Sequence, residues 1–541
     1  MRRVSRLIAL CLCVLALLCS CEGPDPQPTP SESAVPSAPP TVAFQSARFN
    51  LGYDPTASMH PITGNSQVNQ ELTGLVYQGL YELDNTFTPQ PVLAVDASAD
   101  EDALTWTFTL AGGVVFSDGT PFTSVHAAAS LNLARTSALY ATRLKGVSSV
   151  TAEDGAVVVT LSAPNWNLPA LLDIPIVLER EPAEDEAAPP APLGTGYYRY
   201  AQGGDRLYLQ ANPYHPSAVA LPYGTIPLTP VTDTGERIAA FDTGEISAVT
   251  TDFSSPYALD YTIGYEATDY PTTSLLYVGF NAASGRVCRS APVRQAFSHA
   301  FDRVSLVEVQ LSGRGDPTAL PVSPLCGEYS EAYAAMLEYD MDAAARLLAE
   351  AGYVLREEDG LLCDPDFQPP EEDGEDEDDR PPEEDGRVKV TLLVNSDNDV
   401  RQAVARQLAD SLAQLGVTVT VSSLPWNEYT EALTRGRFDL YIGEVRLTGN
   451  FDPTVLLVGE LDYSGLKSRA LAQALTQWRA TQGVWHTLAA NTLWGQFVED
   501  VPIAPLCFKR ESLLVRWGMV SNVQPTRANP YYRMAEWTIT G

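Results

Sequence analysis

The residues that could do chemistry in this chain are few, and their spacing argues against catalysis. Five histidines are scattered over 541 residues, and no His/Cys cluster has the spacing of a metal site. No G-x-S-x-G, H-E-x-x-H, C-x-x-C or Walker A pattern occurs. Gly194-Thr195-Gly196 could cradle a phosphate, but no Gly-Lys-Ser/Thr follows, and Tyr198 and Tyr200 read as a strand. Asp118 lies in Ser117-Asp118-Gly119-Thr120, where a turn aspartate is the expected role rather than a catalytic acid. Residues 371–385 hold eleven acidic side chains and one arginine, a net of -10, without the spaced ligands and turn glycine of an ordered calcium loop. Neither a catalytic set, nor a metal, nor a cofactor is expected.

The positioning elements centre on residues 274–309. Ser274-Leu275-Leu276-Tyr277-Val278-Gly279-Phe280-Asn281 is a continuous β-favouring run, the pattern of a strand covered on both faces. Ser290 can cap a helix with Pro292 in its first turn, and Val293, Ala296, Phe297, Ala300, Phe301 and Val304 then share one face. Residues 44–50 read as a first strand, 67–81 as a helix and 104–110 as a half-buried strand, with Ser124 capping a helix over 125–134. Residues 388–394, 400–415 and 417–421 form a β-α-β unit, followed by a helix over 426–435 and a strand over 438–442. Such alternation gives an α/β fold.

At the start, Arg2, Arg3 and Arg6 precede twelve apolar residues, 7–18, too short for a membrane span. Leu18-Cys19-Ser20-Cys21 resembles a lipobox with Cys21 as the lipidated residue; an ordinary cleaved signal peptide is the alternative. Residues 22–41 hold seven prolines and suit an extended tether. Two acyl chains at about 0.8 kcal/mol per buried CH₂ would anchor the chain stably. The formal charge of -34 argues against nucleic acid and anionic lipid headgroups as partners. Cys288, Cys326, Cys363 and Cys507 remain after the signal and allow three pairings. Cys288 with Cys326 is favoured, with four free buried thiols the competing state.

A family resemblance runs through the body of the chain. Leu75-Val76-Tyr77-Gln78-Gly79-Leu80-Tyr81, Leu104 to Leu110, Val115-Phe116-Ser117-Asp118-Gly119-Thr120-Pro121, Pro192-Leu193-Gly194-Thr195-Gly196-Tyr197-Tyr198 and Gly279-Phe280-Asn281 are similar, in order and spacing, to family 5 extracytoplasmic solute-binding proteins. Val293-Arg294-Gln295-Ala296-Phe297 with Ala300-Phe301-Asp302-Arg303 extends the likeness. That family comprises oligopeptide, dipeptide and nickel binders of ABC importers. The resemblance implies a bilobal, periplasmic-binding-protein-like fold (type II, the large variant with an extra subdomain), with residues 274–309 as the hinge. It assigns 42–60, 187–280 and 509–541 to lobe I, 61–186 to the extra subdomain, and 281–508 to lobe II, with a disordered acidic insertion over 364–386.

Ligand contacts in such folds gather where strands end at the cleft, so residues 443–453 are the first place to look. Peptide-binding members often carry a tryptophan there and, three residues later, an aspartate for the peptide amine. Anchored on Asp452-Pro453, this chain has Arg446 and Gly449 at those positions. Arg446 could hold a carboxylate or phosphate, or stand in solvent or an ion pair. The candidate ligand contacts are Tyr53, Asn281, Trp426, Arg446, Thr448, Gly449 and Asn450. The implied partners are a peptide or other small solute, an ABC permease with its ATPase subunits, and the membrane through the lipid, the chain itself acting as a monomer. A ligand sensor on the same fold and, more remotely, a secreted hydrolase are the competing functions.

Overall fold

The apolar run at 274–281 is the second half of a longer strand, Tyr265–Phe280, in the computed structural model of the chain. The structure describes residues 49–180, 191–254, 261–364 and 386–540. The signal, the tether, most of the first expected strand and the acidic insertion lie outside those residues. Leu275, Val278 and Phe280 have no exposed surface. The cause is pairing on both edges, with the return strand Ile503–Arg516 on one side and Leu440–Arg446 on the other. Outward from this centre the seven-stranded sheet adds Ala248–Thr251 beyond the return strand, and Lys389–Asn395 then Thr418–Leu424 beyond Leu440–Arg446; Gly315–Pro317 pairs with the return strand.

Tyr265–Phe280 and Ile503–Arg516 therefore each serve two lobes. Their register slips between Pro271 and Leu275 and again between Leu276 and Tyr277, where the chain passes from one lobe to the other. In the second lobe the expected β-α-β unit is present, its parallel strands joined by helix Asp399–Ala413, whose first turn is capped by Asn398 accepting the Arg401 N–H at 2.9 Å. The first lobe carries a four-stranded sheet in the order Leu51–Tyr53, Thr225–Pro230, Arg206–Ala211, Tyr198–Gly203. The extra subdomain is a second four-stranded sheet, Ala94–Ala99, Thr105–Leu110, Ala156–Leu161 and Val147–Glu153 in that order, packed on helix Ser124–Ala134. No helix among the described residues is long and apolar enough to cross a membrane.

Several expectations are corrected. The single helix after Ser290 is two, Ala291–His299 and Arg303–Gln310, because the Asp302 carboxylate caps the second by accepting the Ser305 N–H at 3.0 Å. The break turns Val304 outward, to 63% exposure, while the other five apolar residues stay buried. The helix expected over 67–81 ends at Val76, as two short pieces. Beyond it the backbone must pass against Leu172, where a Cβ on Gly79 would lie 2.9 Å from the carbonyl oxygen. Thr123, not Ser124, precedes the first helical residue, its N–H donating to His126 Nδ1 at 3.1 Å. The cysteines at 288, 326, 363 and 507 are all free thiols.

Two arginines of the family motif have structural work. Arg294, 1% exposed, donates to the carbonyls of Cys288, Arg289, Asp500 and Val501, closing the end of helix Gly483–Asp500. Arg303 donates to the carbonyls of Pro505, Ser298 and Leu337. Gly194 and Gly196 are explained by backbone packing: a Cβ at Gly194 would stand 2.0 Å from the Val76 oxygen, and the Gly196 N–H donates to that oxygen at 2.9 Å.

Candidate ligand cleft

The strand Leu440–Arg446 runs antiparallel to the crossover strand and ends with Arg446 opposite Ser274. The Arg446 guanidinium donates to Glu511 Oε1 at 3.3 Å, and Glu511 Oε2 accepts from the Tyr270 hydroxyl at 3.1 Å. Arg446 is thus half engaged by a carboxylate while its side chain stays 58% exposed.

The loop beyond it meets the extra subdomain. Thr273 and Leu447 exchange hydrogen bonds, the Thr273 hydroxyl and the Leu447 N–H each donating. The Thr448 hydroxyl donates to Asn450 Oδ1 at 2.6 Å, and Asn450 Nδ2 donates across to Asn165 Oδ1 at 3.3 Å. A Cβ at Gly449 would lie 2.6 Å from Leu83 Cδ1 and 2.7 Å from the Ala170 oxygen, so glycine is what lets the two parts touch. Phe451 follows in the left-handed region, φ 51°, and packs edge-on to Phe87 at 4.7 Å and Phe508 at 5.3 Å. A second contact is made by Trp166 of the subdomain, set against His486 at 4.0 Å and Trp478 at 5.7 Å. Lys145 and Glu460 form a third, exposed one.

The remaining predicted contacts are not brought to this place. Tyr53 is half-buried in the first lobe, its carbonyl accepting the Val231 N–H at 2.8 Å. Asn281 gives both amide protons to the second lobe, to the Gly436 and Phe438 carbonyls at 3.1 and 2.8 Å. Trp426 is 53% exposed and stacks on Tyr429.

Two arginines that the sequence reading did not single out feel one another's charge, and one of them, Arg527, feels that of Arg446. Arg527, from the C-terminal segment, keeps solvent contact but makes no hydrogen bond or ion pair among the described residues. Loss of hydration and the positive field of Arg446 pull its guanidinium down to about 10, with Glu511 opposing. It stays charged at neutral pH. Arg143, from the subdomain, is ion-paired with the buried Asp173 and is likewise lowered to about 10, chiefly by burial. An unpaired guanidinium such as that of the exposed Arg527 is a ready partner for an anion.

Arg527 lines a small recess of about 10 Å³ against the crossover strand, with Thr273, Pro271, Phe87, Asp84 and Asp173. Asp173 and Ala528 also line a second cavity, of about 60 Å³, bounded by Tyr77, Tyr81, Glu82, Tyr197 and Asn529. Nothing in the sequence pattern announces this convergence, since its residues come from segments hundreds of positions apart.

The comparisons with known proteins agree with this architecture. The glutathione-binding protein GsiB of Escherichia coli (strain K12) is 28% identical over 312 residues, covering 55% of this chain and 59% of that protein. The chain thus spans about three-fifths of the length of the curated relatives it matches. Among solved structures, the periplasmic murein tripeptide-binding protein MppA in its unliganded open form has a TM-score of 0.72 at 18% identity, covering 93% of this chain and 99% of that one. The substrate-binding protein CtaP of Listeria monocytogenes gives 0.69 at 16% identity, with 92% and 100% covered. NikA of Brucella suis, in complex with Fe(III)-EDTA, gives 0.64 at 18% identity, with 91% and 99% covered. These likenesses carry the fold. The family model for bacterial extracellular solute-binding proteins, family 5, matches residues 88–459. With its two lobes joined by a pair of shared strands, the chain belongs to that family, whose members are binding proteins of ABC transporters and not enzymes.

Proposed function

We propose that this chain is the extracytoplasmic receptor of an ABC importer and that it takes up a small solute bearing a carboxylate or phosphate, short peptides being the first class. The observation that carries the reading is Arg527, exposed, charged and unpaired among the described residues, standing in the field of Arg446 at the edge of a small recess. Binding energy there would favour the conformation in which the lobes touch, which is what a receptor needs in order to signal occupancy to a permease. The names of relatives that bind glutathione and a murein tripeptide support a peptide-like ligand. The lipid on Cys21, the tether and a monomeric state complete the proposal, placing the receptor at the outer face of the cell membrane.

The test is native mass spectrometry and calorimetric titration of a soluble form starting after residue 21, offered glutathione and a mixture of di- and tripeptides. Adducts are expected in the unmodified protein. Arg527→Ala should weaken them roughly ten- to a hundredfold with the fold retained. Arg446→Ala should cost less, because Glu511 already engages it. An affinity that Arg527→Ala leaves unchanged removes the arginine from the site and with it the anionic reading.

A further inference from the structure

Phe87 stands in the turn of a two-stranded hairpin, Tyr81–Leu83 with Pro89–Pro91, and yet it is almost fully buried. A turn of this kind ordinarily lies in solvent. This one is tied by a single carboxylate: Asp84 Oδ1 accepts the Thr86 and Thr88 N–H groups at 2.8 and 3.0 Å, and Oδ2 accepts from Gln90 Nε2 at 2.8 Å. The Phe87 N–H donates back to the Asp84 carbonyl at 2.9 Å. So fastened, Phe87 takes φ 60°, in the left-handed region, which a bulky side chain adopts only where its surroundings hold it there.

Those surroundings come from the other lobe. Tyr81, from the same hairpin, is buried with the apolar residues of the first lobe and its subdomain, whereas Phe87 is buried with those of the second lobe. Its ring meets Phe451 edge-on, and Phe451, itself left-handed, meets Phe508 in the same way. Phe508 pairs with Leu275 of the crossover strand, where the register resumes after its slip. Pro271 and Thr273, from the slipped stretch, border the same small recess as Phe87. The tip of the hairpin thus enters the second lobe beside the point where the chain crosses between lobes.

We propose that Phe87 is a plug, and that its seating against Phe451 sets how far the lobes stay together before any ligand arrives. Withdrawing it places two aromatic rings in water; seating it holds two residues in strained backbone. These opposing costs leave a two-state contact that a ligand can tip. Apparent affinity then scales with the fraction of molecules already seated, whatever the ligand is. The plug is independent of the anionic reading of Arg527 and is tested without a ligand.

The experiment compares the ligand-free chain starting after residue 21 with Phe87→Gly, which removes the ring and relieves the left-handed strain, and with Phe87→Leu, which keeps apolar bulk. Small-angle scattering reads the separation of the lobes, and hydrogen exchange followed by mass spectrometry reads the socket. Phe87→Gly should enlarge the radius of gyration and speed exchange in residues 447–453 roughly tenfold or more, with residues 389–424 unchanged. Phe87→Leu should show the same two changes in smaller measure, which keeps the test open if the glycine variant does not fold. Scattering and exchange equal to those of the unmodified chain overturn the proposal. Faster exchange at 447–453 with an unchanged radius means that other contacts hold the lobes, and overturns it too. Exchange that quickens equally across 389–424 assigns Phe87 to the general stability of the second lobe, which is again against the plug.

Discussion

Arg294 shows how a buried charge can be stabilised without a carboxylate partner. Its guanidinium is spread over carbonyls that the end of helix Gly483–Asp500 and the turn at Cys288 leave open. Burial lowers its pKa, yet every replacement loses those bonds at once. Arg294→Ala should therefore destabilise the chain by about 3 kcal/mol or more, read as a fall in the denaturant midpoint with ligand affinity unchanged in the folded fraction. A shift under half that size would mean water replaces the guanidinium. Glu82 makes the opposite case. Its folded pKa is raised, so its contribution to stability is present at acid pH and is lost as pH rises through the folded value. Glu82→Gln should then raise the melting temperature of the ligand-free protein at neutral pH, with the gain disappearing below the carboxylate range. Equal melting of the two proteins at all pH values would contradict the raised carboxyl. Neither role can be read from residue type: Arg294 stands in the motif Val293-Arg294-Gln295-Ala296-Phe297, and Glu82 lies one residue beyond the motif that ends at Tyr81.

At the scale of elements, hydrophobic periodicity was the informative signal. It found the crossover strand, the β-α-β unit and most helix cores, because those elements bury one face or both. It missed the break at residues 300–302, although Asp302 followed by Ser305 is a capping pattern visible in the sequence. The strand-end argument and the family resemblance, not periodicity, named Gly449 and Asn450 as candidate ligand contacts, and their loop meets Leu83, Ala170 and Asn165. That face is a contact between lobes. Trp166 belongs to the same set of contacts, its ring against His486, which is itself hydrogen-bonded to Glu328 at 2.8 Å. Aromatic packing of this kind contributes about 0.5–1.5 kcal/mol beyond area burial. Trp166→Ala should accordingly loosen the lobes, seen as a larger radius of gyration by small-angle scattering and a several-fold weaker ligand affinity. Identical scattering curves would mean that Phe451 and Phe87 hold the lobes without it.

The whole molecule carries a formal charge of -34, yet the proposed ligand presents a carboxylate to three arginines. At low ionic strength the long-range field repels an anionic solute, and only inside the cleft does attraction win. The association rate of a singly anionic N-acetyl peptide should thus rise as salt increases from about 0.01 M to about 0.15 M, where the Debye length shortens from about 30 Å to about 8 Å. A stopped-flow rate that falls instead would show that the local arginine field reaches beyond the cleft mouth.

Gly279 pairs with Ile503, so residues 281–502 form one large excursion whose two ends sit side by side. The first lobe's share of the sheet, residues 265–271 against 510–516, is aligned by the same two strands. Closing a loop of that length costs only slightly more entropy than closing a shorter one, but the cost has to be met before the first lobe gains anything from it. The order of assembly follows: the second lobe should fold first and act as the clamp that brings the first lobe's strands together. Pulse-labelled hydrogen exchange during refolding should protect Leu440–Arg446 before Ala248–Thr251, and a chain released before residue 503 has emerged would hold a structured second lobe beside an unfinished first.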